Sequence, residues 1–233
     1  MAGRSTGSLV GMKLDRDTFE RKFEDYRRYL ANEIHRFRDS VSVYRQISER
    51  TIDHLSEINL APAFFRATED ALFTTIVLWG DKLLDEDGER GLFNFLSFAE
   101  YNRDWLHISE LQRRRSYPDD HWILQGRTPI TAESIEQDRE KIRNLRALKS
   151  LKRRRDKYHG HFDKDYFFDR SKLQTEAPLS WNELDEAGEV MGGIFNDYSV
   201  DFDGAMNSWK TMNIDDLQSL LRAAKDGRAV HAA

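Results

Sequence analysis

Phe19, Phe23, Tyr26, Leu30, Ile34 and Phe37 follow one another in steps of three and four with no proline between them, which is the period of a helix and not of a strand. From about Asp15 this predicts an amphipathic helix whose apolar stripe must be covered by other elements. Asp39 and Ser40 are expected to start or kink a second segment carrying Val43, Ile47, Ile52 and Leu55, ending before Asn59. Pro62 suits the first turn of the next helix. Phe64, Phe65, Leu72, Ile76, Trp79 and Leu83 put apolar residues almost all round that helix, so it is expected to be the central buried one.

The same period continues along the chain. Leu92 to Phe98 and Trp105 to Leu111 read as shorter helical pieces, whereas Arg113 to Pro129, with Pro118, Gly126 and Pro129, reads as a loop or insertion within the span 103–130. Its Arg113-Arg114-Arg115 and His121-Trp122 have the residue types that contact RNA by charge and stacking; a surface loop is the plainer reading. Thr131 is a candidate N-cap, with Glu133 in the first turn, for a long helix with the stripe Ile135, Ile142, Leu145, Leu148 and Leu151. Pro178 and Ser180 precede a helix carrying Leu184, Ala187, Met191, Ile194, Phe195 and Tyr198, expected to pack against the long one, and Ile214 to Ala224 reads as a short last helix. No segment alternates like a strand, and no glycine-rich nucleotide fingerprint is present. The expectation is an all-α chain, with one domain over residues 13–226 between flexible tails at 1–12 and 227–233.

At 233 residues and 39% hydrophobic content the chain is long enough for one sizeable core. The absence of cysteine excludes a disulfide framework and thiolate metal sites. No apolar run approaches the roughly 20 residues that cross a bilayer, and Met1 to Gly11 lacks the hydrophobic region of a signal peptide. A cytoplasmic location without membrane attachment is expected. A net charge of -5 argues against a general nucleic-acid coat, yet Arg139 to Lys157 concentrates basic residues. Such a strip suits a phosphate ligand or an acidic partner, or is a solvated helix face.

The end of that strip, Arg155-Asp156-Lys157-Tyr158-His159-Gly160-His161, carries the chemistry. One helical step from Leu151 lands on Arg155. Either this arginine lies on the buried side and finds a carboxylate, a phosphate or a subunit boundary, or it is a surface cation favoured by the helix C-terminus. Asp156 sits on the unfavourable end of the dipole and calls for a partner such as Arg155 or an imidazole. Gly160 is expected to end the helix in the left-handed conformation and fold His161 back over the last turn. His159-x-His161-x-Asp163 has the residue types of a metal site, but hydrolases with that spacing carry it after a strand, and here it follows a helix. No metal and no cofactor are assigned. An arginine, a carboxylate and an imidazole can instead bind a phosphodiester and move its protons, since RNA carries its own 2′-hydroxyl nucleophile.

Arg155-Asp156, four intervening residues and His161 resemble the arginine, polar residue, histidine signature of HEPN domains, and more narrowly the abortive-infection AbiU-type branch. Pro62-Ala63-Phe64-Phe65-Arg66, the Asp70 to Trp79 helix, Leu83-Leu84-Asp85 and Asn196-Asp197-Tyr198-Ser199 extend the likeness over Thr18 to Ala205. Gly160 departs from the branch's usual alanine, the Arg103 to Pro129 stretch is longer than expected, and His159 adds a second imidazole. The resemblance implies a HEPN-like helical bundle with a long motif helix and peripheral helices, dimerising so that two motifs form one cleft. It implies metal-independent endoribonuclease activity as a toxin or antiphage effector, with an antitoxin partner; the alternative is a noncatalytic HEPN module binding RNA, nucleotide or protein. Carried over by position, Arg155 holds the scissile phosphate, Asp156 orients the site and His161 is acid or base. His159 and Tyr158 are auxiliary, and Lys152, Arg153, Arg154 and Lys157 are expected to contact phosphate or RNA.

Overall fold

Asp15 accepts a hydrogen bond from Thr18 N at 2.9 Å and so caps a helix that runs unbroken over Arg16–Asp53, here α1. The kink expected at Asp39 and Ser40 is absent. Ser40 is small and buried, so the stripe passes from Phe37 to Val41 without a polar interruption that would turn the chain. The computed structural model describes the backbone of residues 11–161 and 163–232, and side chains as far as residue 227. Every element among these residues is helical. Of the tail expected at 1–12, residues 1–10 lie outside the described residues.

After the short α2 (Leu55–Ile58), Pro62 opens α3 (Pro62–Leu84) from its first turn. This helix runs antiparallel to α1, because Trp79 meets Glu33, Gly80 meets Phe37 and Phe73 meets Tyr44. A Cβ on Gly80 would stand 2.9 Å from both Phe37 Cε2 and Leu151 Cδ1. The missing side chain therefore lets α1 and the later motif helix close on α3 from two sides. The helix is not the central one expected. It buries Phe65, Ile76, Val77, Leu83 and Leu84 but leaves Phe64 64% exposed, since its first half extends beyond the large core. The more deeply buried element is α10 (Trp181–Asp203), whose Ala187, Gly188 and Gly192 admit close neighbours. Trp209 occupies the space a Cβ at Gly192 would take.

Between them come α4 (Leu92–Tyr101), a 3-10 turn at Arg103–Leu106 and α5 (Ile108–Arg115). The span 103–130 is thus partly helical and tied down. Arg114 donates to the carbonyls of Trp105 and Phe202, Arg115 Nε to Asp203 O at 2.8 Å, and Arg127 Nη1 to Asp201 at 2.6 Å.

Thr131 and Ser134 form a reciprocal capping box for α6 (Ala132–Arg143). The long motif helix expected to continue from there is broken. Asn144 closes α6, Leu145 is extended at ψ 121°, and a separate helix, α7, spans Arg146–Arg154. The break serves packing, because a straight helix offers its stripe to one neighbour. As built, Ile135 and Ile142 stay with α4 and α10, while Leu151 turns onto α3. Two small helices follow, α8 (Lys164–Phe168) and α9 (Ser171–Glu176), and then the Ser180–Glu183 capping box that starts α10. The last helix, α11 (Asp216–Ala232), continues past Ala224; residue 233 of the tail expected at 227–233 lies outside the described residues. The helix contributes Leu221 to a second, smaller core with Ile47, Ile58 and Phe65. No described helix is long and apolar enough to cross a membrane.

Candidate functional site

Beyond Arg154 the helix widens into a π-turn over Arg155–His159, in which Gly160 N–H donates to Arg155 O at 2.7 Å. Gly160 has φ -93° and ψ -33°, so the expected left-handed end is not formed. A Cβ there would lie 3.0 Å from Arg155 O, and what glycine supplies is that close backbone approach. His161 is consequently exposed. No hydrogen bond or ring contact folds it over the last turn among the described residues.

Arg155 takes the first of its two readings. Its Nη1 lies 2.7 Å from Asp81 Oδ2 on α3, and its Nε donates to Asp156 Oδ1 at 2.8 Å. Asp156 thereby has the local partner its place at a helix end requires. The side chain of Asp81 is only 2% exposed. Burial pushes its carboxyl above the ordinary value, and the Arg155 charge opposes that push. From sequence Asp81 groups with Asp85 and Asp87 as hydrated carboxylates of a turn, rather than metal ligands, and the structure corrects this by burying it within α3, though a signal existed. A carboxylate among Leu78, Trp79, Leu83 and Leu84 needs a cation, and Arg155 stood on another apolar stripe needing an anion. The pair borders a cleft of about 910 Å³ between α1, α3 and the turn after α3, walled by Tyr26, Tyr29, Leu30, Trp79 and Leu83. His161 does not line this cleft.

The four basic residues expected to meet phosphate have different fates. Arg154 is buried, 8% exposed. Its Nε and Nη2 donate to Ala177 O at 2.7 Å and Leu173 O at 3.0 Å, and its guanidinium lies 5.2 Å over the Phe73 ring. It holds α9 against α7 and cannot reach a ligand in solvent, which corrects the expectation. Arg153 is committed to Glu176 and to Tyr166 Oη at 2.7 Å. Lys157 is paired with Asp163 at 2.8 Å. Lys152 is exposed and makes no ion pair among the described residues. Farther back the basic strip is mostly neutralised: Arg139 pairs with Glu100, Lys141 with Asp138, and Arg143 with Glu86, Glu136 and Glu140.

His159 is half-buried, its ring 5.8 Å from Phe73. Burial, and then the nearby Arg154 charge, pull its imidazole below the usual value and favour the neutral form. Arg170 lies 4.9 Å over the Tyr158 ring. Asp163 is taken by Lys157 and by the α8 N-terminus, where it accepts from Asp165 N at 3.1 Å. His159, His161 and Asp163 are therefore not gathered as a ligand set, and no three metal-ligating side chains cluster among the described residues.

The described residues form an all-helical bundle in which a paired arginine and acid end the motif helix and a histidine follows the turn. The HEPN_AbiU2 family model, described as AbiU2, matches residues 20–221. The chain belongs to that family. No curated protein and no solved structure gives a significant match.

Proposed function

We propose that this protein is a metal-independent endoribonuclease of the HEPN type, acting as a toxin or antiphage effector and restrained by an antitoxin. The observation that carries the reading is Arg155. It is an always-charged planar donor, hydrogen-bonded to Asp156 and ion-paired with the buried Asp81, with no hydrogen bond from Nη2 among the described residues. A fixed guanidinium edge is what a phosphodiester, and the extra charge of a phosphorane, requires. His161 is exposed and unpaired among the described residues, and it supplies the proton transfers as the 2′-hydroxyl attacks. The products then end in a 2′,3′-cyclic phosphate.

Because His161 stands outside the Arg155 cleft in one chain, a second copy completes the site. A homodimer brings two motifs together, and its two histidines divide the acid and base roles. The same separation favours the second reading, a noncatalytic module that binds RNA or a partner protein. Incubating the purified protein with total RNA in chelator, beside the His161→Ala variant, decides between them. New 2′,3′-cyclic ends made by the wild type alone are expected; RNA bound and never cut identifies the module.

A further inference from the structure

Among described side chains outside the matched motif, Asp81 is one that lines the cleft and pairs with Arg155. It comes from α3, more than seventy positions earlier in the chain, and is held there by packing. Gly80 beside it is wedged against Phe37 and Leu151, so the backbone that carries the carboxylate is fixed by the core. A guanidinium carries five N–H donors on its three nitrogens. Asp156 accepts from Nε within the π-turn itself, and Asp81 Oδ2, buried and without a hydrogen-bond partner, stands 2.7 Å from Nη1 as an ion pair from the wall of the cleft. Nη2 makes no hydrogen bond and no ion pair among the described residues. Asp156 alone leaves Arg155 free to swing about its long side chain, because both sit on the same turn and move together. The anchor on a different, rigid helix removes that freedom.

Resting on the endoribonuclease reading, we propose that Asp81 is a positioning residue for RNA cleavage, fixing the Arg155 guanidinium so that its Nη2 edge meets the scissile phosphate. Asp81 touches no substrate and acts through Arg155. Its charge is also adverse to a bound phosphate, which gives the role a signature. Replacing it by a neutral isostere loses the orientation of Arg155 while removing a repulsion. Cleavage should fall as binding holds or tightens, whereas a merely structural lesion weakens both.

The test compares wild type, Asp81→Asn, Arg155→Lys and the double variant on a single-stranded RNA oligonucleotide in chelator, with melting temperature measured for each. Expected for Asp81→Asn is a kcat lower by about 10- to 100-fold, the scale of a misplaced catalytic group, with KM unchanged or lower. In the Arg155→Lys background the same substitution should cost no more than about twofold, as residues acting through one another are not additive. Should Asp81→Asn fail to fold, Asp81→Ser, smaller and neutral, carries the same comparison. If Arg155→Lys loses cleavage while Asp81→Asn keeps it within about twofold, the role of Asp81 is overturned and the endoribonuclease reading stands. An equal further loss in the Arg155→Lys background, or a raised KM, makes Asp81 a structural residue only. A wild type that cuts no RNA overturns the enzyme reading and this proposal with it.

Discussion

Two arginine runs, Arg113 to Arg115 and Arg153 to Arg155, are nearly interchangeable as text, and the fold uses them in opposite ways. The first is tied to groups of its own molecule, although Arg113 and Arg115 stay partly exposed. Arg113 and Arg114 converge on Glu20, Arg114 also reaches two backbone carbonyls and packs on Phe202, and Arg115 bonds Asp203. In the second run Arg153 and Arg154 are tied in the same manner, and what sets Arg155 apart is its place beside the buried Asp81 at the cleft. Charge density therefore does not mark a phosphate site. What supports the proposed role of Arg155 is a cation held at the border of a cleft by a buried carboxylate on another helix.

The largest expected effect separates the runs by activity. Arg155→Ala and His161→Ala should each lower RNA cleavage by about 100- to 10,000-fold, the range for removing an acid-base or charge-stabilising group. Arg115→Ala should leave the rate per folded molecule within about twofold. A cleavage assay in which Arg115→Ala is as damaged as Arg155→Ala would erase the distinction.

The next effect, smaller, reverses the ranking and is read by denaturant unfolding. Arg114 and Arg154 are the buried members of their runs. Truncating either to alanine strips buried carbonyls of their charged donors, a loss of about 2–4 kcal/mol from two such bonds and the packing of the stem. Arg154→Met should lose less, because the aliphatic stem over Phe73 is kept. Unfolding free energies for Arg154→Ala equal to those of Arg155→Ala would show that Arg154 carries no special structural weight.

How far this difference could be read in advance depends on which interactions are local. Helices and caps were legible, since Thr131, Ser180 and the three- and four-residue stripes act within a turn or two of themselves. Arg155, Asp156 and His161 were picked out by a pattern of spacing, and their roles rest on the proposal above. The break at Leu145 was not, because the stripe reads the same through it and only the positions of α3, α4 and α10 decide which neighbour each half meets. Nor were the fates of Arg154 and Arg155. Adjacent helical residues point about 100° apart, so one faces α9 and the other α3, and the direction is set by elements distant in sequence. Asp81 lay in view as a carboxylate on an apolar helix, but its partner could be named only once α3 and α7 were side by side.

The smallest effect tests the buried arginine from a third side, through His159. Arg154 and burial both hold the imidazole below its ordinary value of 6.5, so the folded chain resists a proton that the unfolded chain accepts. Above that value both states are neutral, and His159 adds no pH dependence. As pH falls through it the unfolded state takes up the proton first, and stability declines until the folded-state value is passed. The sign is thus a loss of stability on acidification. His159→Phe, which keeps a ring against Phe73 and cannot titrate, should show a shallower fall in melting temperature between pH 7.5 and 5.5 than the wild type. Arg154→Met removes one of the two causes, so it should recover part of that difference while His159 remains. Identical slopes for wild type and His159→Phe would mean that the imidazole is not held neutral, and that the Arg154 charge does not reach across the Phe73 ring to the motif turn.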